Sequence, residues 1–138
     1  MKQALFSFFI VLLLLIFADA VWLGLMQKRF YDPQMAHLLS DSMKFIPEAL
    51  LYIVYAVVLN TFVIVPGLKN NSSYLYLLLF GMLFGLGDYG SYNLTNQATL
   101  KNWSWTLTTV DMAWGVCLTG AISVIATYIT RHSKKIIG

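Results

Sequence analysis

Residues 4–26 read ALFSFFIVLLLLIFADAVWLGLM. A membrane-crossing helix needs roughly 20 predominantly apolar residues, and this stretch supplies them with one carboxylate, Asp19, near its end. A cleaved signal peptide is the rival reading. Lys2 would then be the basic region, Phe6 to Phe17 the apolar region and Ala18-Asp19-Ala20 the small-x-small cleavage site. Apolar sequence continues past that site instead of turning polar, which favours an uncleaved span.

The rest of the chain repeats the pattern. Segments 45–65, 74–94 and 105–128 are each long and apolar enough to be read as further spans. The expected fold is therefore all-α, a four-transmembrane-helix bundle in one integral membrane domain, 1–138. Composition agrees: 59% of residues are hydrophobic and 11% charged, whereas a soluble domain carries about 25% charged residues. Too few charges are present to cover a water-facing surface, so lipid is the expected solvent for much of it.

The connections are short. Pro33 is expected to break the polar stretch 27–44, and MAHLLSDSMKF (35–45) to form a short interfacial helix between helices 1 and 2, with Met35, Leu38, Leu39 and Met43 near one face. Pro66-Gly67 should close segment two, and Trp103 and Trp105 should anchor the interface before segment four. Cys117, the only cysteine, excludes an intramolecular disulfide and reads as a small packing residue. His37 is a lone loop histidine and reads as solvated. The net charge of +3 is scattered over short loops and the tail Arg131, Lys134, Lys135, so nucleic acid is not an expected partner. Lys2, Lys69 and the tail cations lie on one side, against Lys28, Arg29, Lys44 and Lys101 on the other, a bias toward cytoplasmic termini.

The carboxylates carry the functional signal. Asp19 falls late in an outward segment, Glu48 early in an inward one, Asp88 late in an outward one and Asp111 early in an inward one. All four share one depth, within about two turns of the same interface, and no Lys or Arg shares it. An ionised carboxylate in hydrocarbon costs a few kcal/mol, roughly 2.5–3.5 on insertion scales, and normally faces the bundle interior. Glu48 is the exception, because a helix N-terminus near water accounts for it. Helical spacing adds partners. Asp19 and Trp22 share a face, as do Asp111, Trp114, Gly115 and Leu118; Glu48, Tyr52, Tyr55, Leu59 and Phe62 form a stripe, and Gly81, Gly85, Asp88, Tyr92 and Asn96 another, with Tyr89 alongside. Gly81-x-x-x-Gly85 would admit a close neighbour below the polar cluster. The structural alternative is that these acids and aromatics only pack helices and mark the interface.

A pocket of this composition suits a cationic ligand through carboxylates and aromatic faces, a hard cation through oxygen, or proton donation in lipid or isoprenoid chemistry. No nucleophile–base pair, phosphate-cradling glycine loop or His/Cys metal spacing occurs. No cofactor and no metal are expected, and no catalytic residue is assigned.

Several motifs resemble one family. They are Asp19-x-x-Trp22-Leu23-Gly24 with Phe30-Tyr31; Phe62-Val63-x-Val65-Pro66; and Tyr89-x-x-Tyr92-Asn93-Leu94-Thr95-Asn96-x-Ala98-Thr99-Leu100-x-x-Trp103, followed by Asp111-x-x-Trp114-Gly115. Over nearly the whole chain this resembles DUF2177, a group of small predicted bacterial membrane proteins of unknown function. The resemblance implies an uncleaved first helix and a multi-pass protein of the bacterial cytoplasmic membrane. The family pattern has Asp at the place of Asn93 and no carboxylate at Asp88; the two positions lie about 140° apart around the helix. The expected pocket is Asp19, Trp22, Asp88, Tyr89, Tyr92, Asn93, Asn96, Asp111 and Trp114. It would bind or transport a small cationic or lipid-like ligand. A membrane enzyme using Asp19 or Asp111 as acid or base, and an accessory helix-packing subunit, are the alternatives. The partners expected are the lipid bilayer, a lipid or small-molecule ligand and, since four helices are few for a monomeric transporter, further copies of the chain.

Overall fold

The computed structural model describes residues 2–42 and 44–133. Helix α1, Lys2–Met26, runs through the Ala18-Asp19-Ala20 site without interruption. It continues through a π-helical turn, Gln27–Tyr31, into α2, Asp32–Met35, and a 3-10 turn, Ala36–Leu38. Helix α3, Phe45–Leu59, likewise passes through a π turn, Asn60–Ile64, into α4, Val65–Lys69. Helices α5, Tyr74–Thr99, and α6, Trp105–His132, complete a four-rod bundle, with no strand among the described residues.

Three of the rods, Lys2–Leu38, Phe45–Lys69 and Trp105–His132, are long and apolar enough to cross a membrane. α5 has 26 residues, about 39 Å at 1.5 Å per residue, but its second half carries Asp88, Ser91, Asn93, Thr95, Asn96 and Gln97. Polarity is arranged inside out. α1 exposes Leu5, Phe9, Leu13, Ile16 and Phe17, whereas the buried set includes Ser7, Asn60, Asn93, Thr108, Thr119, Ser123, Thr127 and Thr130. Hydrocarbon outside and small polar groups between helices is the pattern of a bundle folded in lipid.

Pro33 and Pro66 behave differently from the expectation that they end helices. Each follows a π turn and occupies the first turn of the helix after it: Pro33 in α2 and Pro66 in α4. The turns use i→i−5 bonds, from Asp32 N–H to Gln27 O and from Val65 N–H to Asn60 O. A π turn inserts one residue into the ladder, and early in the helix that follows a proline's missing N–H is tolerated. Consequently α1 is prolonged to Leu38, and the short helix between the first two spans lies at 32–38 instead of 35–45. His37 is exposed in that 3-10 turn, and Met43 lies outside the described residues, as do Lys134 and Lys135. The helices also run a turn or so beyond the expected ends, to Lys69, Thr99 and His132.

The remaining turns share one device. Asn71 (φ 48°) and Asn102 (φ 62°) adopt the left-handed conformation, which Asn tolerates better than most residues. Two residues later Ser73 and Ser104 cap α5 and α6, accepting from Tyr76 N at 3.2 Å and Leu107 N at 3.0 Å. Trp103, expected at the interface, is instead buried and donates to Thr108 Oγ1 at 3.0 Å, while Trp105 is 66% exposed. Cys117 is exposed on the outer face of α6 and is not a core packing residue.

The tightest packing joins α5 to α6, and α1 lies against α6 and α3. A Cβ at Gly81 would stand 2.7 Å from Thr119 O, and one at Gly85 2.7 Å from Thr119 Oγ1 and against Gly115 O. At one end of the bundle Ser7 donates to Asn60 Oδ1 (2.7 Å), Asn60 donates to Ala4 O (2.9 Å), and Arg131 donates to Gly67 O (3.1 Å) and Ser72 O (2.7 Å). Asp19, Tyr31 and Asp111 lie toward the other end.

Candidate functional site

The buried face of α5 carries Leu77, Gly81 and Gly85 at i+4 spacing and, further on, Gly90 and Asn93, so it turns around the helix along its length. Asp88 and Tyr92 therefore do not continue the glycine row toward α6. They stand on its flank, exposed, and face a cavity of about 360 Å³. Its wall is made by all four rods: Leu15 and Asp19 from α1, Leu51, Tyr52 and Tyr55 from α3, Asp88, Tyr89 and Tyr92 from α5, and Asp111 from α6. No Lys or Arg is in that wall.

On α3 the expected stripe holds through Leu59 and then fails. Phe62 is 70% exposed, and Val63 and Ile64 are buried in its place. The π turn that begins at Asn60 supplies the reason, since one inserted residue rotates everything after it by about 100°. Tyr52 and Tyr55 precede the turn and stay inward. Tyr55 shares a hydrogen bond with Thr119 Oγ1 at 2.5 Å and meets Phe84 edge-on at 5.4 Å. The Tyr52 hydroxyl lies beside both Asp19 and Glu48. Glu48 itself is in the first turn of α3 and outside the wall.

Behind the cavity a chain of side chains joins two of its carboxylates. Trp114 Nε1 donates to Asp19 Oδ1 at 3.1 Å. The Trp114 ring stacks on Trp22, centroids 4.2 Å apart and planes within 7°. Trp22 Nε1 donates to the Tyr31 hydroxyl at 2.9 Å, and that hydroxyl donates to Asp111 Oδ1 at 2.7 Å. Asn93 Nδ2 donates to Asp111 Oδ2 at 2.6 Å and to Tyr89 O at 3.0 Å. Both oxygens of Asp111 thus accept from another element, which fixes the carboxylate in place. Asp88 differs in having no hydrogen-bond partner among the described residues.

Above this chain a second apolar layer of Tyr31, Trp103 and Leu107, with Trp22, Met26, Phe30 and Met35 against it, covers the end of the bundle. Gln97 and Ser104 tie the layer together: Gln97 Nε2 donates to Trp103 O at 2.9 Å, Thr108 donates to Gln97 Oε1 at 2.9 Å, and Ser104 donates to Gln34 Oε1.

Of the residues expected in the pocket, Asp19, Asp88, Tyr89, Tyr92 and Asp111 are in the cavity wall. Trp22, Trp114 and Asn93 stand behind it, holding the aspartates. Asn96 lies beside Tyr92, outside the wall. Sequence reasoning missed Leu15, Leu51 and Tyr31. Tyr31 stands out only in the family-like Phe30-Tyr31 pair, because a proline two residues away suggests a loop. No group of three or more His, Cys, Asp or Glu side chains converges as a metal-ligand set among the described residues; the aspartates are spread around the wall.

No curated protein and no solved structure matches the chain. The family model of DUF2177, described as a predicted membrane protein, matches residues 4–128. That match covers most of the 138 residues, so the chain belongs to the DUF2177 family of predicted membrane proteins.

Proposed function

We propose that this membrane protein binds an organic cation in the cavity between its four helices. One observation carries the reading: Asp19, Asp88 and Asp111 share a wall with four tyrosines and no basic side chain. Carboxylates and phenol faces around one cavity suit an ammonium group. The spread of the aspartates favours a cation larger than a bare metal ion. The volume is at the small end of the range for small-molecule sites. Transport of that ligand would call for further copies of the chain. On this reading the termini face the cytoplasm, and reporter fusions after Lys69 should read inside, those after Lys101 outside.

Titration with tetramethylammonium of the protein in dodecyl maltoside micelles tests the binding. Trp114, hydrogen-bonded to Asp19, is the fluorescent reporter. A saturable change, at least tenfold weaker in Asp19→Asn, is expected; about 1.4 kcal/mol corresponds to that factor. An unsaturable response identical in the variant refutes the reading.

A second reading, an accessory subunit whose polar groups lock helices, is favoured by the paired oxygens of Asp111. It predicts that Asp19→Asn changes neither binding nor function, because Asn still accepts from Trp114.

A further inference from the structure

The cavity wall is unevenly covered. Leu15 and Tyr55 are buried, whereas Leu51 of α3 is 55% and Tyr92 of α5 is 53% exposed, and Asp88 is exposed between them. The mouth therefore lies between α3 and α5. Packing explains why. The α3 rod approaches α5 through the π turn Asn60–Ile64 and through the Tyr55–Phe84 edge contact, and no comparable backbone packing joins α3 itself to α5. Nor does the second apolar layer close the gap, because its residues come from the α1 extension, from α6 and from the turn before α6.

The α3 surface beside this mouth is apolar: Leu50, Leu51 and Val54 are all exposed. Such surface belongs in the bilayer. Asp88 is thus a carboxylate at a gap bordered on the α3 side by lipid-facing leucines, with no hydrogen-bond partner among the described residues. Unpaired, its charge is unfavourable beside hydrocarbon, which is why intramembrane carboxylates normally find a partner. The wall offers no cation to relieve it. A partner must bring positive charge and be soluble in the hydrocarbon beside the leucines.

Resting on the cation-binding reading, we infer that the ligand is a single-chain cationic amphiphile that enters sideways from the bilayer between α3 and α5. Its head group meets Asp88 at the mouth and moves inward to Asp19, among the phenols of Tyr52, Tyr55, Tyr89 and Tyr92. Its chain stays in the gap, against Leu51. Asp111, with both oxygens already engaged, holds the wall in shape and does not take the head group. Asp88 and Asp19 are the binding carboxylates.

The test compares two probes with one head group, tetramethylammonium and dodecyltrimethylammonium, on the full chain in dodecyl maltoside micelles. The dodecyl probe is measured as its mole fraction in the micelle, so that simple partitioning is removed. It should saturate at least tenfold more tightly than tetramethylammonium, and Asp88→Asn should weaken the dodecyl probe at least tenfold. Asp41→Asn, an exposed loop carboxylate outside the cavity wall, should leave both unchanged, and circular dichroism of each variant checks its helices. Should tetramethylammonium bind through Asp19 while the dodecyl chain adds nothing, or while Asp88→Asn has no effect, lateral entry is overturned and the cation pocket stands. Should neither probe saturate, both proposals fall.

Discussion

Two glycines two residues apart in α5 are expected to respond oppositely to the same substitution. A methyl group at Gly85 would press on the Gly115 carbonyl and stand 2.7 Å from Thr119 Oγ1; at Gly87 nothing lies within 4 Å. The neighbours of Gly85 cannot yield cheaply, because one is α6 backbone and the other, Thr119, is held by its bonds to Gly115 O (2.6 Å) and Tyr55. Gly85→Ala must therefore push α5 away from α6. Overpacking of this kind costs about 1–3 kcal/mol. The helix-propensity gain of about 1 kcal/mol that Ala brings offsets part of it, leaving a net loss of up to about 2 kcal/mol at the tightest helix pair. Gly87→Ala keeps the gain alone and should stabilise by about 0.5–1 kcal/mol. Reversible unfolding in mixed micelles at rising dodecyl sulfate fraction, followed by circular dichroism, gives both values. A Gly85→Ala protein stabilised as much as Gly87→Ala would refute the packing of α5 on α6 by way of this glycine row.

Tyr31→Phe removes the donor to Asp111 Oδ1 and the acceptor for Trp22 Nε1. It should cost about 1–3 kcal/mol while the near-ultraviolet dichroism of the stacked Trp22–Trp114 pair persists; an unchanged unfolding midpoint would mean that the bond chain carries no stability. Arg131→Gln takes away bonds to the carbonyls of Gly67 and Ser72 and the cation over the Tyr74 ring. Protease cleavage in the turn 70–73 should become several-fold faster, and equal rates would show that α4 and α5 need no clamp there.

How far the sequence could be read is clearest where a simple period applies. Apolar runs long enough to span announce the rods, and counting residues from the helix ends puts Asp19 and Asp111 toward the same end. The failures cluster at the two π turns. Nothing in Gln27–Tyr31 or Asn60–Ile64 differs in composition from ordinary helix or loop, yet each inserts a residue and turns the following face. A helical period without that insertion turns Phe62 inward, and a stop at Pro33 puts Tyr31 in a loop. Counting along α5 gives Asp88 a position on the helix, but its exposure follows from the spacing between α3 and α5. A helical wheel describes one helix and carries no information about a gap between two.

The π turn at Gln27–Tyr31 explains how the second carboxylate acquires its partner. Trp22 and Tyr31 are nine residues apart, so in a regular α-helix they would lie about 180° from one another, at 100° per residue. Tyr31 would then face away from the indole. The residue inserted by the π turn brings this to about 80°, close enough for two long aromatic side chains to meet at 2.9 Å. From there the phenol reaches Asp111, while the Trp22 ring lies flat on Trp114, whose indole N–H serves Asp19. Asp19 and Asp111 are thus positioned by one extension of α1. A change in the π turn would be felt at both carboxylates, whereas Asp88, untouched by this chain, keeps its freedom to meet what enters from the side.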